Sequence, residues 1–573
     1  MSKLLLIVEK NRNTVISRIN DRITQVTARI IPDIIQPNKT SIIQSTGLAY
    51  YTFNPVKSNY FHEQSVCLGY MVPGEKEWWI PGSKTPDGTF ALFRANDEVV
   101  EVLSDYLASR SIWYYCDDEV FMASTSQRAL IMGLQSFRFN EKVIPWMLFS
   151  GITGPEYSWD DRIKLLPADS VLKLNRKTWQ TSLSTQPKKF APERQSFRQS
   201  TEHLNNILSG LLTHDEIDCS KWVLPLSGGY DSRGLLYYLK DKPGLQTVTW
   251  GLESSRLAKD NDAFLASAIS QHFGVPNTYF STDRSDESFD ILFHRFLLAG
   301  EGRLEHIGGY MDGFKIWATL FNRQYAGSIR GDQALRWTKV YVEDQIYPTL
   351  GINTINSFRN LEAMKSFDLP DQKMPEYFKR APGESLAVMR DRLYSSFRIP
   401  CYLAALNDIK LPFIEVYSPL MTARVNNFVY TLPYNFRTGK KLLKNLITDL
   451  TPDVPFATHE AILTHHRVVQ EVETAHFLKE EVGSMRYSSV LPTKVLEFIA
   501  SRIQLDPEKL KKKSNYIITY QQIRDSLPKW TKTIIKKGMP KRDIDFNLMA
   551  FRSLIIQRMN MLLNEDAKVL HNR

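Results

Sequence analysis

Residues 222–239 read WVLPLSGGYDSRGLLYYL, and the middle of this stretch decides how the chain is read. A short apolar run predicts a buried strand, and the leucines and tyrosines that follow at helical spacing predict a helix. Between them stands Ser227-Gly228-Gly229-Tyr230-Asp231-Ser232, a strand-to-helix turn. In an open parallel sheet such turns lie beyond the carboxyl ends of the strands, where ligands bind. A glycine pair lets the backbone turn tightly and aim successive N–H groups into one concavity, which suits phosphate oxygens. Ser227 and Ser232 add hydroxyl donors. Asp231 would repel a phosphate unless a cation lay between them, and Mg²⁺ held by one or two carboxylates and the phosphates is the natural bridge. The lysine and the GxxxxGK[ST] spacing of a Walker A loop are absent.

The flanking sequence predicts the sheet that such a turn needs. Helix STEHLNNILSGLLTH, strand WVLPL, helix SRGLLYYLK, strand LQTVTWGL, helix NDAFLASAISQHFG and strand NTYFS alternate, which implies parallel strands joined by crossover helices. Past about residue 285 the pattern is mostly helical. The first ~190 residues instead read as strands, for example SVCLGYMV, TFALFRA, SIWYYCD and EVFMAST, separated by turn signals. The polar segment TQPKKFAPERQSFRQS, residues 185–200, reads as a linker. No internal repeat or low-complexity tract is present.

Composition narrows the class. A chain of 573 residues is too long for one core, so at least two domains are expected. With 43% hydrophobic and 23% charged residues it reads as a folded protein. Its four cysteines are far apart and none forms a CxxC pair, so neither a disulfide framework nor a zinc site is indicated, and a reducing, cytoplasmic setting is expected. No stretch approaches eighteen apolar residues, and MSKLLLIVEKNRNTV reads as a first strand, not a signal peptide. The net charge of +10 is partly carried by LDPEKLKKKSNYI and KWTKTIIKKGMPKR. Their lysines fall at helical spacing among apolar residues, the pattern of a solvated helix face, so nucleic acid is not an expected partner.

The loop Ser227–Ser232 resembles the SGGxDS pyrophosphate loop of enzymes that cleave ATP between the α- and β-phosphates. That family includes asparagine synthetase, β-lactam synthetase, GMP synthetase and several tRNA-modifying ligases. TVTWGLE followed by KDNDAFLASAISQHFGVPNTYF is similar to the second strand, helix and third strand of the asparagine synthetase type, and the resemblance implies that backbone around Val248 to Trp250 contacts adenine. AGSIRGDQALRW, residues 326–337, resembles the glycine-rich loop that supplies a second Mg²⁺ carboxylate. There Asp332 takes the aspartate position, Gln333 replaces an acidic neighbour, Gly331 would approach the nucleotide, and Arg330 joins the candidate catalytic residues. DGTFALFRANDEVVEVLSDYLASRSIWYYCDDEVFMASTSQRALI and RIKLLPADSVLKLN resemble the glutamine amidotransferase domain of the same enzymes. The resemblance covers roughly residues 60–460 and implies an α/β chain. An N-terminal Ntn-type αββα-like domain over 1–190 would precede a parallel-sheet nucleotide α-hydrolase synthetase domain over 200–573 with a helical C-terminal part.

The departures from the family refine the expectation. An amidotransferase of this kind needs a cysteine whose own α-amino group is free to act as base. Here residue 2 is Ser and the nearest cysteine, Cys67, is internal, so glutamine hydrolysis is expected to be lost. The amine must then come from elsewhere, as in β-lactam synthetases and lasso-peptide cyclases. Relatives also carry Glu, Tyr or His three residues before the second aspartate, where this chain has Ile329. They carry a lysine after a Leu-Thr-Pro-like segment, where LTPDVPFATHEAILTHHR offers His459, His465, His466 and Arg467, with Lys440, Lys441 and Lys444 before it. His459 is a candidate proton acceptor. NDIKLPFIEVYSPLM is similar to an Arg-Val-Pro-Phe-Leu-Asp stretch and brings Asp408 and Glu415 as acids able to orient an amine.

The resemblance therefore implies an ATP- and Mg²⁺-dependent ligase that adenylates a carboxylate and joins it to an amine from a source other than glutamine. Macrolactam formation of the lasso-peptide type is the first expectation and β-lactam closure the second. The implied partners are ATP, a peptide or small-molecule carboxylate and precursor-peptide processing proteins. A tRNA-modifying ligase and a catalytically idle nucleotide-binding or scaffold protein are the alternatives.

Overall fold

The computed structural model describes residues 2–571 except 12–13, 75, 214–216, 333–338, 452–453, 486–489 and 511–541. Gln333 and most of the basic stretch near the end lie outside the described residues. The described residues form a mixed α/β fold with two antiparallel sheets, one parallel sheet and many helices.

The first antiparallel sheet runs, side by side, β10 (Lys164–Leu165), β8 (Trp113–Cys116), β9 (Val120–Ser124), β1 (Lys3–Glu9), β3 (Leu48–Phe53) and β2 (Ser41–Ser45). The second runs β12 (Gln180–Thr185), β11 (Ser170–Asn175), β7 (Val99–Ser104), β6 (Gly88–Ala95), β5 (Ser65–Met71) and β4 (Tyr60–His62). Side chains alternate faces along a strand, and β1 shows the consequence. Leu4, Leu6 and Val8 pack with Val66, Leu68, Phe93 and Val102 of the second sheet. Leu5 and Ile7 face the other way into a core with Ile16, Ile19, Val26 and Leu130 from the helices Thr14–Asp21, Ile23–Ile30 and Gln127–Leu134. The two sheets thus stack face to face, with helices covering the outer face of the first.

The parallel sheet has the order β15 (Asn277–Ser281), β14 (Thr247–Gly251), β13 (Trp222–Pro225), β16 (Gly327–Ile329), β17 (Glu415–Tyr417). From β13 the chain steps outward through β14 to β15, then returns to lay β16 on the other side of β13. All four neighbouring pairs are parallel. The order reverses between β13 and β16, and the crevice at such a switch point is where open α/β sheets bind ligands.

The N-terminal sheets and the rest of the chain share one core. The helix Phe546–Asp566 buries Phe551, Leu554, Ile555 and Met559 in the cluster that also holds Leu5 and Trp146. Asp566 at its end is paired with Arg29 and, at 2.7 Å, with Arg128. Outside the second sheet, Tyr70 packs against Tyr417 and Trp222, with ring centroids 4.0 and 5.6 Å away. Beside them Arg110 forms a buried ion pair with Glu415 of β17 at 2.6 Å and donates to the carbonyl of Ser2 at 2.5 Å. Among the described residues no helix is long and apolar enough to cross a membrane.

Candidate functional site

A cavity of about 380 Å³ opens at the switch point, walled by the residues that follow β13, β14 and β16 and by a segment from the C-terminal half.

The first wall is the turn after β13. Ser227 and Ser232 bond each other through their hydroxyls at 2.9 Å, the Ser227 N–H donates to Ser232 Oγ at 3.0 Å, and the Gly229 N–H donates to Ser227 Oγ at 3.3 Å. These bonds fold the turn on itself. The helix Tyr230–Leu239 begins at Gly229 with no side-chain cap, so its first N–H groups are unclaimed by the capping residue. Such a helix start attracts an anion. Asp231 Oδ2 accepts from Lys440 Nζ at 2.6 Å, while Asp231 Oδ1 is buried without a partner among the described residues.

The two glycines serve different ends. A Cβ on Gly228 would stand 2.6 Å from Ala457 Cβ and 3.0 Å from Leu265 Cβ, so protein packing alone excludes a side chain. A Cβ on Gly229 would meet only Ser227 Oγ, at 3.4 Å. Gly229 has φ of −81° and Gly228 is not among the positive-φ residues, so a left-handed backbone is not what either glycine provides. Gly228→Ala is therefore expected to destabilise the fold by ~1–3 kcal/mol through overpacking. Gly229→Ala is expected to leave the thermal midpoint unchanged within about 1 °C. A thermal-unfolding comparison in which Gly229→Ala lost as much stability as Gly228→Ala would contradict this division.

The second wall follows β16. The Arg330 N–H donates to the carbonyl of Tyr417 at 2.7 Å, which extends the β16 to β17 pairing by one residue. Arg330 Nε then bonds Asp332 Oδ2 at 2.8 Å. Burial on its own would lift the Asp332 carboxyl, but the Arg330 guanidinium holds it below the ordinary carboxylate range. Arg330 Nη1 is buried with no partner among the described residues. Gly331 makes the two loops touch. A Cβ there would come within 2.9 Å of Asp231 Cβ and 3.0 Å of the Ser232 nitrogen, so only glycine permits the approach.

The third wall is β14. Val248 is buried, and Trp250 is half-buried with its ring edge-on to Trp317, centroids 5.2 Å apart. Both line the cavity.

The fourth wall is a strap, residues 454–462. Arg233 fastens its start by donating to the carbonyls of Val454 and Pro455, each at 2.6 Å, and burial brings this guanidinium down to about 10. Phe456 stacks on Tyr230 at 3.7 Å under the same guanidinium, and the Ala457 N–H donates to the Gly228 carbonyl at 3.0 Å. Farther along, the Leu252 N–H donates to the Ala461 carbonyl at 2.9 Å, and Gly251 leaves room for Ala461, whose Cβ would lie 2.5 Å from a Cβ there. The strap thereby aims Glu460, Ala461 and Ile462 at the cavity, opposite Asp262. Burial, and after it the neighbouring Glu460, raises the Asp262 carboxyl to about 6 although the Gly228 backbone bonds it.

Of the residues singled out in the sequence, Ser227, Asp231, Ser232, Val248 and Trp250 meet Arg330, Gly331 and Asp332 around this cavity. Two others do not. His459 lies on the strap but points to Asp260, Nδ1 to Oδ2 at 2.7 Å, with 43% of its side chain exposed. Its neighbour Glu460 lines the edge of the cavity. Asp408 is buried against Arg303, Oδ2 to Nη1 at 2.5 Å, and is not part of the cavity wall. His465 contacts Glu305 at 3.3 Å and packs, tilted, between the rings of His306 and His466, apart from the cavity. Arg233, Asp262 and Glu460 went unassigned in the sequence, and Lys440 was named there only as a lysine that precedes the segment where relatives carry one. Lys440 reaches Asp231 across 209 residues, and no local spacing signals such a contact. Lys440 is also held at φ 60°, a backbone that a lysine adopts only under constraint.

At the N-terminal end, Ser2 is fully buried, with Oγ donating to the carbonyl of Asn54 at 3.1 Å. Cys67 lies on β5 inside the protein, and burial pushes its thiol up. Neither is placed to attack a substrate from solvent. No release of glutamate from glutamine is therefore expected, with or without ATP, and ATP-stimulated release that disappeared in Cys67→Ala would contradict it.

Among the described residues no group of three or more His, Cys, Asp or Glu side chains is arranged to hold a metal ion. Comparison of the chain with models of protein families and with curated proteins returned no match.

Proposed function

We propose that this chain is an ATP-cleaving ligase of the pyrophosphate-loop kind, which activates a carboxylate as its adenylate and passes the acyl group to an amine. The observation that carries the reading is a pair of opposite orphans in one cavity, the acceptor Asp231 Oδ1 and the donor Arg330 Nη1. Buried polar atoms in native structures have partners, and a ligand that supplies a cation to one and an anion to the other satisfies both. A divalent cation bound to a polyphosphate has that character.

In this reading the turn from Ser227 to Ser232 and the helix start at Tyr230 hold phosphate oxygens through N–H and hydroxyl donors. Asp231 and Asp332 would hold Mg²⁺, whose two carboxylates leave the remaining ligand positions to phosphate and water. When bound, the ion neutralises charge on the phosphates as pyrophosphate departs. Lys440 stands on Asp231 and adds a positive charge at the same end, and Arg330 donates to an oxygen on the α-phosphate side. Val248 and Trp250 offer backbone and an aromatic wall to the base. Two stacked antiparallel sheets with helices on the outer face of the first are compatible with a degenerate Ntn-type domain, and with Ser2 buried they would serve as a packing partner for the synthetase half. The amine then belongs to the substrates, as in macrolactam or β-lactam closure.

The product of ATP cleavage tests the reading. With Mg²⁺ and a library of peptide and small-molecule carboxylates, the purified protein is expected to form AMP and pyrophosphate and, with hydroxylamine added, acyl hydroxamates. Formation of ADP and phosphate instead would place the chain in another reaction class.

A further inference from the structure

Four carboxylates face the cavity, and they are not alike. Asp231 is paired with Lys440 and Asp332 with Arg330. Asp262 and Glu460 also face it, and no ion pair to either is formed among the described residues. Asp262 is half-buried, and Glu460 stands at the exposed edge of the cavity. They share the cavity with the orphaned Asp231 Oδ1 and Arg330 Nη1, and the turn that would cradle phosphate bonds Asp262 through the Gly228 backbone. Glu460 is fixed opposite by the Arg233 clamp and by the Ala461 carbonyl bond to Leu252.

Two carboxylates without an ion-pair partner create a local negative potential on their side of the cavity, which favours a cation there. We propose that Glu460 and Asp262 are the specificity-determining residues for the acceptor, and that they select an amine that arrives as a primary alkylammonium ion. This rests on the ligase reading above and names the chemical class of its second substrate. Charge-assisted hydrogen bonds from the ammonium to the two carboxylates hold the nitrogen beside the acyl phosphate. One carboxylate then takes a proton, which leaves the nitrogen lone pair free. The nitrogen attacks the acyl carbon, the C–N bond forms, and the bond between that carbon and the phosphate oxygen breaks with its electron pair going to AMP. The second proton leaves with the AMP phosphate or to water. Burial and the proximity of Glu460 lift Asp262 toward neutrality, which favours proton acceptance at this position.

The test titrates butylammonium chloride into the protein saturated with α,β-methylene-ATP and Mg²⁺, with butanol as the neutral control, followed by calorimetry. Wild type is expected to bind butylammonium and not butanol. Glu460→Gln is expected to weaken butylammonium by roughly tenfold or more, the loss of a charge-assisted bond, while the affinity for the nucleotide changes by less than about threefold. Glu460 is exposed at the strap, so glutamine there leaves the fold intact, and Asp262→Asn is the second variant. Equal butylammonium binding in wild type and both variants overturns the proposal. So does a loss of nucleotide affinity in Glu460→Gln that is absent with the 2′-deoxy nucleotide, which would make Glu460 a ribose contact. Failure of wild type to bind α,β-methylene-ATP at all removes the ligase reading itself, whereas nucleotide binding without butylammonium binding sinks only this inference.

Discussion

Asp231→Asn and Asp332→Asn are each expected to lower pyrophosphate release by ~10²–10³-fold or more, the scale of removing one preorganised electrostatic partner from a water-poor site. Asp231 lies in the first turn of the helix after β13 and Asp332 in the loop after β16, and they are held together because Gly331 lets that loop rest on Asp231 and Ser232. Asparagine keeps the shape of each residue and one acceptor oxygen, and removes the charge. Thermal midpoints are therefore expected to move little, even though Lys440 and Arg330 lose their ionic partners. Stopped-assay pyrophosphate measurement on both variants decides it, and turnover within threefold of wild type in either one would take that residue out of the site.

Arg110→Ala is expected to cost about 3–5 kcal/mol of stability, because it leaves the Glu415 carboxylate buried without its cation. Glu415 is 0% exposed and lies on β17, the edge strand that pairs with β16. Arg110 also holds the carbonyl of Ser2, so one guanidinium ties the first N-terminal strand to the parallel sheet. Removing both partners, in Arg110→Met with Glu415→Leu, is expected to restore most of the loss, since two apolar side chains carry no unpaired charge. A shift of the urea midpoint in Arg110→Ala corresponding to less than ~1 kcal/mol would mean that the carboxylate finds another partner or reaches water.

The strand-to-helix alternation around residues 222–281 was legible because both periodicities are local, and β13, β14 and β15 with their helices stand where the alternation put them. The helix after β13 begins two residues earlier than its apolar spacing suggests, at Tyr230, since an aspartate and a serine are favourable in a first helical turn and do not delay it. That the turn, Asp332 and β14 face one cavity was also legible, because each lies on or just after a strand of a parallel sheet, where the ligand crevice opens. The strap was not. The residue it brings to the cavity edge is set by a clamp from Arg233 and by the space at Gly251, contacts between segments some two hundred residues apart in the chain, and a sequence read along its length favours the histidine beside Glu460. For the same reason Asp408 could not be recognised in advance as the partner of Arg303, 105 residues away. The glycine pair shows a third limit. Sequence identifies that a side chain is unwelcome, while only the neighbours reveal that packing excludes it at Gly228 and open space surrounds Gly229.

The central claim is that the cavity between β13 and β16 holds a metal-bound nucleotide triphosphate, and the most direct measurement is a crystal structure of the protein with α,β-methylene-ATP and Mn²⁺, collected at the manganese edge. The account predicts an anomalous peak at the carboxylates of Asp231 and Asp332, with the phosphates against the Ser227 to Ser232 turn and the base against Val248 and Trp250. Nucleotide bound elsewhere, or a cavity left empty at saturating nucleotide and manganese, would contradict it.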